Sequence, residues 1–394
     1  MTPIEMTALQ PLPAPVWFIL FFKILGFILH ALLMNLWLAT LPLALILHWQ
    51  GGPQARLWGS RLIRQMPIFI TFGVNFGIVP LLFIQLLYPQ TFYPATILMA
   101  WHWLAIIVLL IPAYYGVYLY AYAVRRDPEN VPALRRAAGW LASLFFVCIG
   151  FFFVNGLTLT AQPELWRELW LSQETAGAAT GFGSAIQQLA IWPRFGMMIA
   201  LGLGTTAVWT LCDRNLFLRV REKSGPETDA YVCWSSRFAC ACALAGLLLF
   251  VVCALLFAHF LQKGPETAVW PSAGSVWSPV GHAWLVGPAL LLIVVWNFAR
   301  KTSAGSALAV LGTQVVSLTV FACVRQWLQC RQLSAFLPLD QFAVRSELGP
   351  MVLFLGLFGV GVLVLAWMVT VAVSAVQPPE IKRFREEESL PENN

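Results

Sequence analysis

Five histidines and one pair of adjacent methionines are the side chains in this sequence that could bind a metal or carry a proton in apolar surroundings. His30, His102, His259 and His282 stand within or at the edge of long apolar runs, and Met197-Met198 opens another. His48 stands apart, close to the first group of arginines. Imidazole nitrogen and thioether sulfur are the axial donors with which helix bundles hold haem iron, provided the donors share one depth. Other chemistries find no pattern. There is no C-x-x-C-H for covalent haem c, no Gly-rich phosphate loop, no zinc spacing and no Ser/His/Asp arrangement. Most of the eight cysteines lie in apolar runs, where a free thiol acts as a small apolar group. Only Cys330 falls in an outer loop, which excludes a disulfide framework between outer loops.

The elements that must position these residues are membrane spans. Of 394 residues, 59% are hydrophobic and 11% charged, a balance that a soluble domain of this size could not sustain. A helix needs about 20 apolar residues to cross the hydrocarbon with its backbone polar groups satisfied internally. Nine such runs occur, at about 20–47, 68–88, 95–122, 138–161, 195–213, 237–261, 280–299, 305–324 and 350–376. None has an Asp or Glu at its middle. Arginine and lysine collect in alternate loops: Arg56, Arg61 and Arg64, then Arg125, Arg126, Arg135 and Arg136. Arg214, Arg219, Arg221, Lys223 and Arg237 follow, then Arg300 and Lys301, and finally Lys382, Arg383 and Arg385. The positive-inside rule makes that side cytoplasmic, with the N-terminus outside and the C-terminus inside. The expectation is an all-α integral membrane protein, a nine-helix bundle in one membrane domain over 1–394 with a charged cytoplasmic tail at 377–394. The sorting accounts for the net charge of +6, so no nucleic-acid partner follows from it. Near Glu5 and the prolines up to Pro15 no basic stretch precedes a small-residue cleavage site, and no cleavable signal peptide is expected.

With this topology His30, His102, His259, His282 and the Met197-Met198 pair all fall toward the outer face. Two readings stay open for each. His259 and His282 sit where helix ends meet water, and interfacial histidines need no function. His102 stands in Trp101-His102-Trp103, which suits a packed core histidine as well as a ligand. His30 lies inside a span, where an ionisable group is expensive and faces a cavity, a partner or a cofactor. Asn35, Asn75 and Asn155 are expected to hydrogen-bond between helices, and Lys23 to snorkel to the outer surface. The segment around 164–190, with Glu164, Glu168 and Glu174, is either a docking surface for a basic protein or a solvated loop.

Several stretches, in order over residues 20–215, resemble subunit I of the cytochrome bd-type oxidases. They are Leu29-His30-Ala31-Leu32-Leu33-Met34-Asn35-Leu36, Phe72-Gly73-Val74-Asn75-Phe76-Gly77, Tyr115-Gly116-Val117-Tyr118, and Asn155-Gly156 followed by Gln162-Pro163. The resemblance implies that His30 is an axial haem ligand. It also has gaps. Arg194-Phe195-Gly196-Met197 puts Met197 where the family has a ligating histidine, so that site is lost or re-ligated. The family's two proton-path glutamates fall at Trp103 and Ile111, and the quinol loop shrinks to about 262–279. No Arg-x-Met precedes His282, although that histidine lies near the comparable depth.

The expected function is therefore a bd-like membrane subunit of a respiratory electron-transfer complex in the bacterial inner membrane, of the kind associated with cytochrome c. It would bind haem b near the periplasmic face through His30, with Met197, His282 and His102 as further haem-binding candidates. Its partners would be membrane lipid, a second membrane subunit of related fold and a periplasmic cytochrome c. The alternatives are a haem-free anchoring subunit of such a complex and a small-molecule transporter. The last is disfavoured by the missing intramembrane carboxylates and the odd number of spans.

Overall fold

The computed structural model describes residues 11–222, 225–263, 279–334, 336–339 and 342–375. The short loop expected at 262–279 and the charged tail lie almost wholly outside these residues. The chain divides into two units. The first holds eleven helices: α1 (Val16–Asn35), α2 (Leu41–Gln50), α3 (Pro53–Leu87), α4 (Pro89–Leu98), α5 (Ala100–Arg126), α6 (Ala133–Ala161), α7 (Trp166–Ser172), α8 (Ile191–Cys212), α9 (Pro226–Lys263), α10 (Pro279–Phe298) and α11 (Ala304–Leu333). A two-residue antiparallel hairpin, β1 (Glu174–Thr175) and β2 (Ala178–Ala179), follows α7. The second unit contains residues 13–15 and α12 (Leu348–Ala375), and in it the Glu347 N–H donates to the Pro13 carbonyl at 2.9 Å.

Among the described residues, eight helices are long and apolar enough to cross a bilayer, and Ala283–Phe298 is a shorter apolar one. Each expected span falls on one of these nine. Local sequence accounts for many boundaries: Pro53 and Pro89 occupy first turns, where a missing N–H costs nothing. Ser303 caps α11 by accepting from the Ser306 N–H. The third span starts later than expected. The chain breaks at Met99, because the Leu98 carbonyl accepts from the Gly183 N–H at 2.8 Å and the Trp101 N–H is taken by the Gly181 carbonyl at 3.1 Å. One π turn, Leu36–Thr40, joins α1 to α2. Pro42 has no N–H for the Leu38 carbonyl, and the Leu41 N–H bonds instead to Leu36.

Helix α8 is the most enclosed of the spans and organises the rest. Gly202 lets it approach the π turn, since a Cβ there would lie 2.6 Å from that of Ala39. Thr40 and Thr206 share a 2.7 Å hydroxyl bond across this contact. Asn35 Nδ2 and Gln314 Nε2 both donate to Thr205 Oγ1, at 2.9 and 2.8 Å, which ties α1 and α11 to α8. Lipid offers no hydrophobic drive for helix association, so close packing of small residues and hydrogen bonds averaging about 0.6 kcal/mol must supply it. Asn155 holds the loop before α8, donating to Ser184 Oγ and accepting from the Ala185 N–H. Asn75 departs from expectation and donates to the Thr71 carbonyl of its own helix.

The loops that carry the sorted arginines meet at one end of the first unit. Arg125 donates to the Arg64 carbonyl, and Arg61 forms a two-pronged bond with Asp213 at 2.6 and 2.8 Å. Arg214, counted among the sorted loop arginines, is fully buried. Its guanidinium donates to Ser235, Ser236 and the Lys301 carbonyl, closing α8, α9 and the α10–α11 turn on one another. Asp213 is also fully buried, and Gln65 Nε2 adds a third bond to it. Breaking a buried pair from one side leaves an uncompensated charge worth about 3 kcal/mol or more. Asp213→Ala is therefore expected to lower thermal stability in detergent sharply, while the double variant Arg61→Leu/Asp213→Leu recovers most of the loss. Equal losses in both variants would show that the pair's charge balance is not what matters.

Candidate functional site

Spacing along α1 and into the π turn places Lys23, Phe27, His30, Met34 and Trp37 on one stripe, and that stripe forms one wall of a cavity of about 270 Å³. Facing it are Val74, Gly77 and Leu81 of α3, Ile106 and Leu110 of α5, and Phe146, Phe153 and Leu157 of α6. Arg194 and Met198, one turn apart on α8, close it with Phe321 and Arg325 of α11. The size lies near the lower end of ligand pockets, and the lining is mostly apolar with a few polar groups.

His30 is the one histidine in its lining among the described residues. Its Nδ1 lies 2.7 Å from the Gly73 carbonyl, so Nδ1 carries the proton and donates it. Nε2, left with its lone pair, has no hydrogen-bond partner among the described residues. A ring fixed in this tautomer by a backbone carbonyl is prepared for metal ligation. Gly77 makes the position available: a Cβ there would stand 2.8 Å from His30 Nδ1.

Toward the N-terminal end of α1 the lining becomes cationic. Lys23 is only 2% exposed, so it does not snorkel as expected. Its ammonium group donates to Gln326 Oε1 at 2.6 Å and Gln329 Oε1 at 2.9 Å, and lies 4.9 Å from the Tyr88 ring centre. Gln326 in turn donates to the Tyr88 hydroxyl at 3.2 Å. These neutral acceptors on α11, brought within reach by packing, replace the water that a snorkelling amine would seek. Arg325 lies over the Phe27 ring at 3.9 Å, and Arg194 donates to Thr158 Oγ1 at 3.0 Å. No acidic side chain lines the cavity among the described residues.

The structure brings only part of the expected set together. Met197 points into an apolar cluster with Phe27, Ala200 and Phe250 and does not line the cavity; Met198, one position on, does. His102 packs against Phe152 and Phe182 at ring distances of 5.3 and 6.2 Å, with its Nδ1 buried and unpartnered. It lies one turn beyond the cavity residue Ile106. His259 is exposed at the end of α9. His282 belongs to the first turn of α10, and its side chain lies outside the described residues. Trp103 packs against Phe92 and Phe153, and Ile111 is exposed. Sequence reasoning read Lys23 as a snorkelling amine, took Met198 only as the neighbour of Met197, and gave Arg325 no role. The spacing of Lys23 and Met34 from His30 was the available signal for the first.

Among solved structures, the bd oxidase from Geobacillus thermodenitrificans is similar to this chain over nearly its whole length, with a TM-score of 0.57. The likeness covers 94% of this chain and 100% of the matched chain at 10% sequence identity. The chain has a bd-oxidase-like fold. No protein-family model and no curated protein sequence matches it. At that identity the likeness is one of fold, and the site rests on the side chains described above.

Gly77 offers a direct check of the cavity geometry. Gly77→Ala drives a methyl group into the His30 ring and should cost about 1–3 kcal/mol. Gly312→Ala meets nothing within 4 Å and should be neutral or stabilising by about 0.5–1 kcal/mol. Thermal unfolding of the two variants in detergent reads the difference.

Proposed function

We propose that this chain is a bd-oxidase-like membrane subunit that would hold one b-type haem in the α1/α3/α6/α8/α11 cavity, with His30 Nε2 as the nitrogen that would bind its iron. The supporting observation is the His30–Gly73 bond, which fixes the tautomer and leaves the other ring nitrogen free in an apolar enclosure. The donor set fits the group. The apolar walls suit a planar macrocycle, and its two carboxylates match a cavity end that carries Lys23 and Arg325 with no acid of its own. When bound, haem supplies one-electron chemistry.

The chain's own residues define the rest of the role. Gly73 holds the His30 ring in orientation. Gly77 leaves it room. The aromatic and aliphatic lining excludes water, and the Lys23–Gln326–Tyr88 network sets the position of the ammonium group. Met198 is the sulfur donor on the helix facing α1, and we assign it, ahead of Met197, as the partner to test. The walls bring no carboxylate to carry protons, so the role proposed is electron transfer rather than independent dioxygen reduction. The end bearing the sorted arginines is taken as cytoplasmic in a bacterial inner membrane. The exposed Glu164, Glu168 and Glu174 then form the face for a basic periplasmic cytochrome c.

The reduced-minus-oxidised spectrum of the detergent-purified chain, with a pyridine haemochrome assay, tests this reading. One b-type haem per chain is expected. His30→Ala should remove most of it, Met198→Leu should shift or weaken the band, and Met197→Leu should leave it in place. An unchanged band in a folded His30→Ala variant would reject His30 as the ligand. No band in the wild-type chain would leave the haem-free anchoring subunit.

A further inference from the structure

A second, larger pocket of about 730 Å³ opens at the other end of the bundle, where the sorted arginines gather. Its walls are the end of α2, the Gly51-Gly52 turn, the start of α3, the loop after α5 and the start of α6. Three arginines line it, Arg56, Arg64 and Arg136, against a single carboxylate, Glu129. We propose that this pocket binds the phosphate headgroup of an anionic phospholipid, and the reading is independent of the haem assignment.

The argument begins with how each guanidinium is held. Arg56 Nε donates to the Gly51 carbonyl at 2.8 Å, and Arg64 Nε donates to the Ser60 carbonyl at 3.0 Å. Both side chains therefore spend the inner nitrogen on backbone and keep the terminal fork, the part that matches phosphate oxygens in pairs. Arg136 lies over the Trp49 ring at 5.8 Å. None of the three forms an ion pair among the described residues.

The surrounding wall is built rather than loose. His48 spends both ring nitrogens: Nε2 donates to the Pro128 carbonyl at 2.9 Å, so Nδ1 accepts from the Tyr120 hydroxyl at 2.9 Å. This ring braces the wall and offers nothing to a ligand. Asp127 accepts from the Glu129 and Asn130 N–H groups, which sets the loop above it. The Asn130 side chain adds a further bond, and together these hold the Asp127 carboxyl below the usual range, a rim charge that stays ionised.

Position selects lipid over a free anion. Trp49 and Leu57 line the pocket and are 51% and 41% exposed, so its apolar half faces outward at the end of two spans. Leu134, on the first turn of α6, is exposed beside it. A headgroup phosphate on the arginines would leave its acyl chains along this apolar surface, which a soluble phosphate could not use. Basic pockets between membrane helices are recognised sites for anionic headgroups.

Native mass spectrometry of the delipidated full-length chain provides the test, with phosphatidylglycerol, phosphatidylcholine of the same acyl chains, and glycerol phosphate as probes. One phosphatidylglycerol per chain is expected to bind more tightly than phosphatidylcholine. Arg56→Gln/Arg136→Gln should weaken it roughly fivefold per arginine, about 25-fold in all, without changing phosphatidylcholine binding. A control pair at exposed positions outside the pocket, Arg300→Gln/Arg331→Gln, should leave both lipids unaffected. Equal binding of the two lipids to the wild-type chain overturns the proposal without needing any variant. So does a folded double variant that holds phosphatidylglycerol as tightly as wild type. Glycerol phosphate binding as tightly as the lipid would assign the pocket to a soluble anion and overturn it as well.

Discussion

The close approach of α8 to α1 is the contact on which the rest of the first unit depends. In lipid, two apolar helices gain little by touching, so association needs small residues and directed hydrogen bonds. Gly202, the Thr40–Thr206 bond and the sharing of Thr205 between Asn35 and Gln314 provide these at one level of the bundle. α1 carries His30, and α8 carries Arg194 and Met198. The same contact that fixes the two helices therefore sets the width of the cavity between the parts of them that carry these residues. The π turn belongs to this contact: by absorbing the missing N–H of Pro42, it lets the chain continue to α2 without leaving α8.

Charge is handled in two opposite ways at the two ends. At the end where the arginine loops meet, Asp213 is sealed by Arg61 and Gln65, and Arg214 is shared among hydroxyls and a carbonyl. Those charges are spent on structure. At the other end, Lys23 is held by neutral amides and Arg325 by an aromatic face. A cation kept at low dielectric without a carboxylate is expensive unless a ligand compensates it. Arg214 and Lys23 are both buried cations held by neutral acceptors, whereas Arg61 is paired with a carboxylate, and residue type alone does not reveal which arrangement a cation takes.

The bd-oxidase-like fold and the side-chain chemistry carry different weight in the functional reading. A TM-score of 0.57 at 10% identity describes a shared arrangement of helices. Folds of this kind host sites that differ in their ligands. Here Trp103, half-buried, packs against aromatic rings and Ile111 is exposed, while His30 has a backbone acceptor and an open nitrogen.

Span positions, helical class and the gathering of arginines in alternate loops were legible in the sequence. A bilayer imposes rules that act locally along the chain: enough apolar length to cross, and positive charge on one side. His30 was legible for a similar reason, as an ionisable group where water is scarce. The partners were not. Lys23 finds Gln326 at a separation of 303 positions, and Arg61 finds Asp213 at 152. Whether position 197 or 198 faces the cavity depends on the rotation of α8 against its neighbours, which adjacent identical residues cannot encode. Depth in the membrane follows from composition along one helix. Facing direction and charge pairing follow only when distant helices pack, and on this chain those two decisions made the site.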